Sequence, residues 1–410
     1  KTLLALALLV AAAAATTKDL NGAKVVRVVP QTETQLRHLQ QLLRRGTYDF
    51  WKEPQTVGSP VDIMATEPQQ PKLDAYLARS GLKPQLRIGD VGRLVDYQAS
   101  QKSTKAMDWT SYHDYDEINN WLTSLPATYP GLCTVEQVGT SYEGRVMNLL
   151  TIGTGGAGNP GIFIDGGIHA REWVSPATVT YMINELLSNS ASYTDILANV
   201  NFYFMPVINP DGYAYTFTND RLWRKTRSDT GSSLGCVGVD PNRNWGFHWN
   251  EVGASDNPCS DIYAGPEPFS EVEMQAVRDQ ITRFSSTLVS YLTFHSYSQL
   301  WMYPWGYTPD LPADWQDLDA LAQDSVNALT AVYGTTYEIG SSTNTIYAAA
   351  GGSDDWAKGV AGVKYSYTIE LRDTGNYGFL LPADQIIPSG VETWEGVKVV
   401  ANFVMNNYPA

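Results

Sequence analysis

The chain has 410 residues, of which 43% are hydrophobic, 11% aromatic and 17% charged. This composition supports two or three packed domains and excludes a disordered or fibrous chain. The formal net charge of −15 is unevenly spread: residues 16–105 carry 14 Lys/Arg against 9 Asp/Glu, whereas residues 106–410 carry 13 against 34. So acidic a body disfavours nucleic acid as a partner and attracts cations, the basic front section among them.

In chain order, "KTLLALALLVAAAAATTKD" combines one basic residue, an apolar stretch and small residues. It predicts a secretory signal over residues 1–15, cleaved near Ala13 to Ala15. Its apolar run of about 14 residues falls short of the roughly 20 that span a bilayer, and no other segment comes closer. The expectation is a secreted protein with no membrane partner. Residues 16–92 then alternate "KVVRVV", the amphipathic "TETQLRHLQQLLRRG", "TYDFWKE", "VDIMATE", "QPKLDAYLARSG" and "PQLRIGDV". That is β-α-β-β-α-β, the order of a ferredoxin-like α+β domain. Residues 93–105 read as a helix running into an exposed polar connector that carries Lys102 and Lys105, where proteolytic nicking is easiest. A signal, a compact basic domain and a lysine-bearing connector together predict a zymogen, opened by a trypsin-like protease after Lys105 or Lys102.

From residue 106 to 410 strands alternate with helices. "GIFIDGGIH", "VNFYFMPVINP", "LVSYLTFHSYS" and "KYSYTIELRD" are rich in β-branched and aromatic residues, as buried parallel strands are. Helical patterns such as "SPATVTYMINELLSN" and "DWQDLDALAQDSVNALTAVYG" lie between or after them. The prediction is one doubly wound α/β domain around a mixed sheet. Of three cysteines, Cys236 and Cys259 share a loop-rich stretch and are expected to pair, since secretion permits a disulfide. Cys133, in an apparent strand, is expected to be a buried thiol.

"HAREW" places a histidine, an arginine and a glutamate just where a strand runs out. Strand ends in an α/β fold open into functional crevices, and within one helical turn His169 and Glu172 project from the same side. His295, in "YLTFHSYS", sits at a second strand end. Two histidines and a carboxylate that leave a fourth position for water are what a catalytic zinc ion requires.

"HAREW", the strand-end His295, "DPNRNWGFHW", "TIYAAAGGSDDW" and "YTIELRDTGNYGFLLP" together resemble the zinc metallocarboxypeptidases of the pancreatic and digestive type, in order and over essentially the whole body. The front section resembles that family's activation domain. The resemblance implies one zinc ion held by His169, Glu172 and His295, with Glu370 as general base. A bland alternative pairs Glu370 with Arg372, which lies on the same strand face. Arg227, in "RLWRKTRS", is matched to the arginine that faces the developing oxyanion, leaving Arg224 and Lys225 as solvated charges. Asn242 and Arg243 match the clamp for the substrate's free carboxylate, Tyr347 its mobile cap, and Arg171 a further carboxylate contact. Tyr297 and Phe379 match residues of the outer subsites.

In "GGSDDW", Asp354 falls at the floor of the pocket for the terminal side chain, with Ser342, Gly306 and Met302 nearby. A buried carboxylate is costly without a cation, so the expectation is release of C-terminal Lys and Arg from peptides. The alternative, with Asp354 turned away, is release of aliphatic and aromatic residues. A fold relative that only binds peptides would have lost a ligand or Glu370, and none is lost. Digestion in a lumen and regulated processing of a few peptides both remain readings; the front domain favours digestion.

Overall fold

The computed structural model describes residues 18–101 and 106–409; the expected signal segment and the connector lysines Lys102 and Lys105 lie outside them. In the front unit, β1 (Lys24–Val28), β2 (Asp49–Lys52), β3 (Val61–Ala65) and β4 (Gln85–Ile88) pair antiparallel in the order β2-β3-β1-β4. Helix Glu33–Arg44 starts where the Thr32 side chain accepts from Gln35 N, and it buries Leu36, Leu39 and Leu42 at helical spacing. Helix Gln70–Arg79 contributes Leu73 and Leu77. The two helices cover one face of the sheet, over Val28, Phe50, Val61 and Ile63. This arrangement fits the expected ferredoxin-like order. Strand alternation sends Val25, Trp51 and Met64 to the opposite face, where they pack on Leu222, Tyr297, Phe379 and Leu380 of the body.

The body is built on eight strands: β5 (Cys133–Thr140), β6 (Val146–Ile152), β7 (Gly161–Gly166), β8 (Asn201–Met205), β9 (Leu288–Ser296), β10 (Leu300–Tyr303), β11 (Glu338–Ser341) and β12 (Tyr365–Leu371), in the order β11-β10-β12-β9-β7-β8-β6-β5. The central β12, β9, β7 and β8 run parallel, and antiparallel pairs flank them. All nine residues of β9 are buried, because helices cover both faces. Val179, Ile183, Trp394 and Val397 pack on one face against Ile162, Leu292 and Phe294, while Met274, Val277 and Ile281 pack on the other against Phe163 and Tyr291. This is the expected doubly wound mixed sheet.

Cys236 and Cys259 form a disulfide, and Cys133 is a buried free thiol. The expected boundary at residues 92/93 falls inside helix Val91–Ser100, whose Gln98 is buried against the body: its Nε2 donates to Leu381 O at 2.8 Å, and Arg221 Nε donates to its Oε1 at 3.0 Å. Among the described residues no helix is long and apolar enough to cross a membrane.

This topology brings three strand ends together. β7 runs out at Gly166, just before His169; His295 lies one residue before the end of β9; and Glu370, one before the end of β12, is its register partner. Phe294, fully buried in β9 beneath this crevice, packs in the core on one face of the sheet. Phe294→Ala is expected to cost about 3–5 kcal/mol in a denaturation measurement; a loss under about 1 kcal/mol would contradict this packing.

Candidate active site

At the end of β7, Gly167 adopts φ +64°, a conformation that favours glycine, and turns the chain, with Pro176 and Val207 crowding the space of a side chain. Glu172 N then donates to His169 O at 3.2 Å, closing one turn that sets both side chains on the same side. His169 Nδ1 lies 2.8 Å from Glu172 Oε1, His295 Nδ1 lies 3.3 Å from Glu172 Oε2, and the two Nδ1 atoms are 3.2 Å apart. Two ring nitrogens on a tetrahedral zinc ion, each at about 2.0–2.1 Å, stand roughly 3.3 Å from one another. The donor set and its spacing therefore fit zinc, and His169, Glu172 and His295 form the metal-holding group of the described residues. Burial favours the neutral carboxyl of Glu172, yet the two imidazoles hold it well below the usual carboxylate range.

Asp240, absent from the expected site, is central to it. One oxygen, Oδ1, lies 3.1 Å from His169 Nε2 and accepts from Asn242 N at 3.0 Å; the other, Oδ2, accepts from Arg224 Nε at 3.1 Å and Nη2 at 2.9 Å. A hydrogen bond at Nε2 fixes the tautomer that points the Nδ1 lone pair at the metal position. Burial opposes ionisation of Asp240, but Arg224 and Arg243 outweigh it and hold the carboxyl far below its ordinary value.

The arginine of this segment that lies beside the triad is Arg224, and not the expected Arg227. Arg227 points away from the cleft: its guanidinium stacks 3.7 Å from the Tyr215 ring and 4.6 Å from Trp223, with Glu143 at 3.7 Å. Arg224 is buried beside the triad, and its charge bears on both His169 and Glu370. Nor is Lys225 a solvated charge, since it is buried and donates to Pro258 O at 2.7 Å. Three basic residues in "RLWRKTRS" look alike in sequence, and only packing decides which one enters the cleft.

Glu370 is buried, and burial pushes its carboxyl up to about 8 in the metal-free chain, with Glu172 adding to the effect against His295 and Arg224. The alternative pairing with Arg372 does not form. That guanidinium is taken up by Glu392, at 2.7 and 2.5 Å, together with Gln385 and Thr335. Glu370 Oε2 and Arg243 Nη2, which line one cavity, are buried without partners, as is Arg171 Nε in the adjoining one. Buried polar atoms rarely stay unpaired, so one carboxylate acceptor and two guanidinium donors are left for a ligand. Arg243 is braced by Gly253 O and Asn242 O, with the Tyr347 ring 5.5 Å away, and Asn242 Oδ1 accepts from Ser353 N.

Asp354, Met302, Gly306, Ser342 and Tyr347 line one small cavity together with His295 and Glu370. Asp354 Oδ2 accepts from Ser342 Oγ at 3.3 Å, and among the described residues it has no ion-pair partner. The adjacent Asp355 is spent on Gly306 N and Tyr307 N. Tyr297 and Phe379 lie on the outer side of the cleft, under the front unit: Tyr297 Oη donates to Asp62 at 2.9 Å, and Phe379 packs 5.1 Å from Trp51. Arg171 crosses the Phe379 ring at 4.1 Å and reaches Asp49 of β2 at 2.9 Å.

The profile of the family described as "Zinc carboxypeptidase" matches residues 118–396. The chain belongs to this family. A second profile, "Carboxypeptidase activation peptide", matches residues 26–98, so the front unit is a pro-domain and the protein a zymogen. The chain is 77% identical over 302 residues to Carboxypeptidase B of Astacus astacus, covering 74% of this chain and all of that protein. It is 41% identical over 403 residues to Carboxypeptidase A1 of Bos taurus, covering 95% and 96%. The crystal structure of carboxypeptidase A from Helicoverpa armigera superposes with a TM-score of 0.88 at 29% identity, over 95% and 99% of the two chains.

The geometry separates the two arginines experimentally. Arg224→Ala is expected to lower kcat about 10²–10³-fold, the effect of losing an oxyanion donor, whereas Arg227→Ala stays within about threefold of the parent; the reverse order in steady-state assays would restore the sequence-based assignment.

Proposed function

We propose that this zinc carboxypeptidase, once its pro-domain is removed, releases C-terminal Lys and Arg from peptides. The observation that carries the reading is Asp354: a buried carboxylate without a cation, in the cavity that adjoins the metal triad and Glu370. Burial raises its pKa, and a substrate ammonium or guanidinium removes that cost. Likeness to a carboxypeptidase B at 77%, against 41% for a carboxypeptidase A1, supports the same preference.

In this reading the terminal carboxylate of the substrate meets Arg243 Nη2 and Asn242, Tyr347 closes over it, and Arg171 holds it on the way in. A planar guanidinium suits that task because it can bind a carboxylate through two parallel hydrogen bonds. His169, Glu172 and His295 hold zinc, which when bound polarises the scissile carbonyl and lowers the pKa of water towards about 7. Glu370 takes a proton from the attacking water as the C–O bond forms, then gives it to the leaving nitrogen as the C–N bond breaks. Arg224, oriented by Asp240, faces the oxygen on which negative charge gathers. Tyr297 and Phe379 line the path of the upstream residues. A trypsin-like protease cutting after Lys105 or Lys102 exposes the cleft, and the protein acts outside the cell in protein digestion.

Three measurements test this. After limited trypsin treatment, N-terminal sequencing should place the cut after Lys105 or Lys102, and the product should cleave hippuryl-Arg faster than hippuryl-Phe; faster Phe release would instead establish the aliphatic and aromatic preference. Asp354→Ala should cut kcat/KM for hippuryl-Arg about 10²-fold or more, as loss of one partner of a buried charge pair does, and spare hippuryl-Phe. Glu370→Gln should reduce kcat about 10²–10⁴-fold while metal analysis still finds one zinc per chain; undiminished turnover would remove Glu370 from the chemistry.

A further inference from the structure

Three cations of the pro-domain land on one strip of the cleft rim, and among the described residues none of them pairs with a carboxylate of the body. Arg27 Nη2 donates to Thr374 O at 3.0 Å; Arg87 donates to Gly375 O at 3.3 Å and to Asn376 Oδ1 at 2.8 Å; Lys52 Nζ donates to Ser298 Oγ at 3.3 Å. The strip follows directly on the catalytic strands, for Ser298 lies two residues past the end of β9 and Thr374 three past the end of β12.

The loop is shaped for this role. The Asp373 carboxylate accepts from Gly375 N, Asn376 N, Tyr377 N and Gly378 N at 2.8–3.1 Å. With its donors turned inward, the loop offers acceptors outward. Gly375 adopts φ +101°, and a Cβ there would meet Arg27 Nη2 at 2.4 Å, so the close approach of a guanidinium depends on glycine. When the pro-domain leaves, these acceptors lose their cations, in a body with 34 acidic and 13 basic residues.

We infer that Ser298 and the Thr374–Asn376 loop form a second subsite for basic residues, which binds a Lys or Arg side chain of the substrate upstream of the scissile bond. The occupant is the substrate peptide itself, so the processed enzyme favours C-terminal tails in which basic residues are clustered. This rests on the carboxypeptidase reading above and adds a site that the terminal-residue pocket does not explain.

The test uses the trypsin-processed protein and peptides that all end in Arg, with a single Arg or Gln moved through the second to sixth positions from the C-terminus. At one or two adjacent positions Arg should lower KM about 3–10-fold relative to Gln, with kcat within twofold, and 0.5 M salt should shrink the difference. Asn376→Asp should widen the Arg-to-Gln ratio at those positions and Asn376→Lys should erase it, each ratio being taken within one variant. A flat scan in the parent enzyme, or a ratio unchanged by Asn376→Lys, overturns the subsite. An enzyme that releases terminal Arg well and yet gives a flat scan refutes this inference alone, whereas failure to release terminal Arg from any peptide refutes the function proposed above.

Discussion

Asp240 belongs to no strand, yet its two oxygens receive a zinc-ligand imidazole, a backbone amide and the fork of Arg224. A carboxylate this deep is expensive unless every lone pair is used, and here each use is also functional. The bond to His169 sets the tautomer of a metal ligand, and the bond to Arg224 aims a cation at the cleft. The bond to Asn242 N caps the short turn Pro241–Arg243, which carries the buried Arg243. A metal-ligand imidazole, a buried arginine of the cleft and the turn that carries Arg243 thus share one anchor. Removing it would leave a buried arginine unpaired as well as freeing an imidazole, so its loss is felt at three places at once.

Net charge and local charge part company in this fold. The body is strongly acidic, but the wall of its cleft carries Arg171, Arg224 and Arg243, the second held by Asp240 and the third by backbone carbonyls. The basic pro-domain answers with a local inversion, sending Asp49 to Arg171 and Asp62 to Tyr297, while its cations go to neutral acceptors on the rim. The long-range attraction expected from composition therefore brings the two units together only in a general sense; orientation comes from short hydrogen bonds and from Trp51 seated on Phe379. Lys18 with Asp220 is a pair of the expected sign, and it lies on the exposed edge, where it is worth little.

What could be read in the sequence depended on how local each signal was. His169 and Glu172 are three residues apart and needed only a strand end and one helical turn. The pro-domain order followed from short amphipathic segments closed by glycines. Arg224 was missed because burial is a property of the fold: within "RLWRKTRS" nothing local separates a cation beside Asp240 from one stacked on Tyr215. Asp240 was missed for the same reason, although an acidic residue directly before Pro and Asn at the head of a turn is the sort of capping residue that can be sought. The short strands β10 and β11 were not foreseen, since four residues hold too little periodicity to stand out. The rivalry between Arg372 and the metal centre for Glu370 likewise needed Glu392, distant in sequence, to settle it.

The zymogen holds a finished site. The triad already has the spacing of a metal centre, Glu370 is free of Arg372, Asp354 lies in its cavity, and Tyr347 already stands over Arg243. The hydrogen bonds and ring contacts of the pro-domain fall on Arg171, Tyr297, Phe379 and the rim, all outward of these groups. Latency in this chain is therefore a matter of access. That arrangement also accounts for how two costly features persist together. Buried carboxyls without an ion-pair partner among the described residues, at Asp354 and Glu370, are tolerated because a large core on both faces of the sheet supplies the stability.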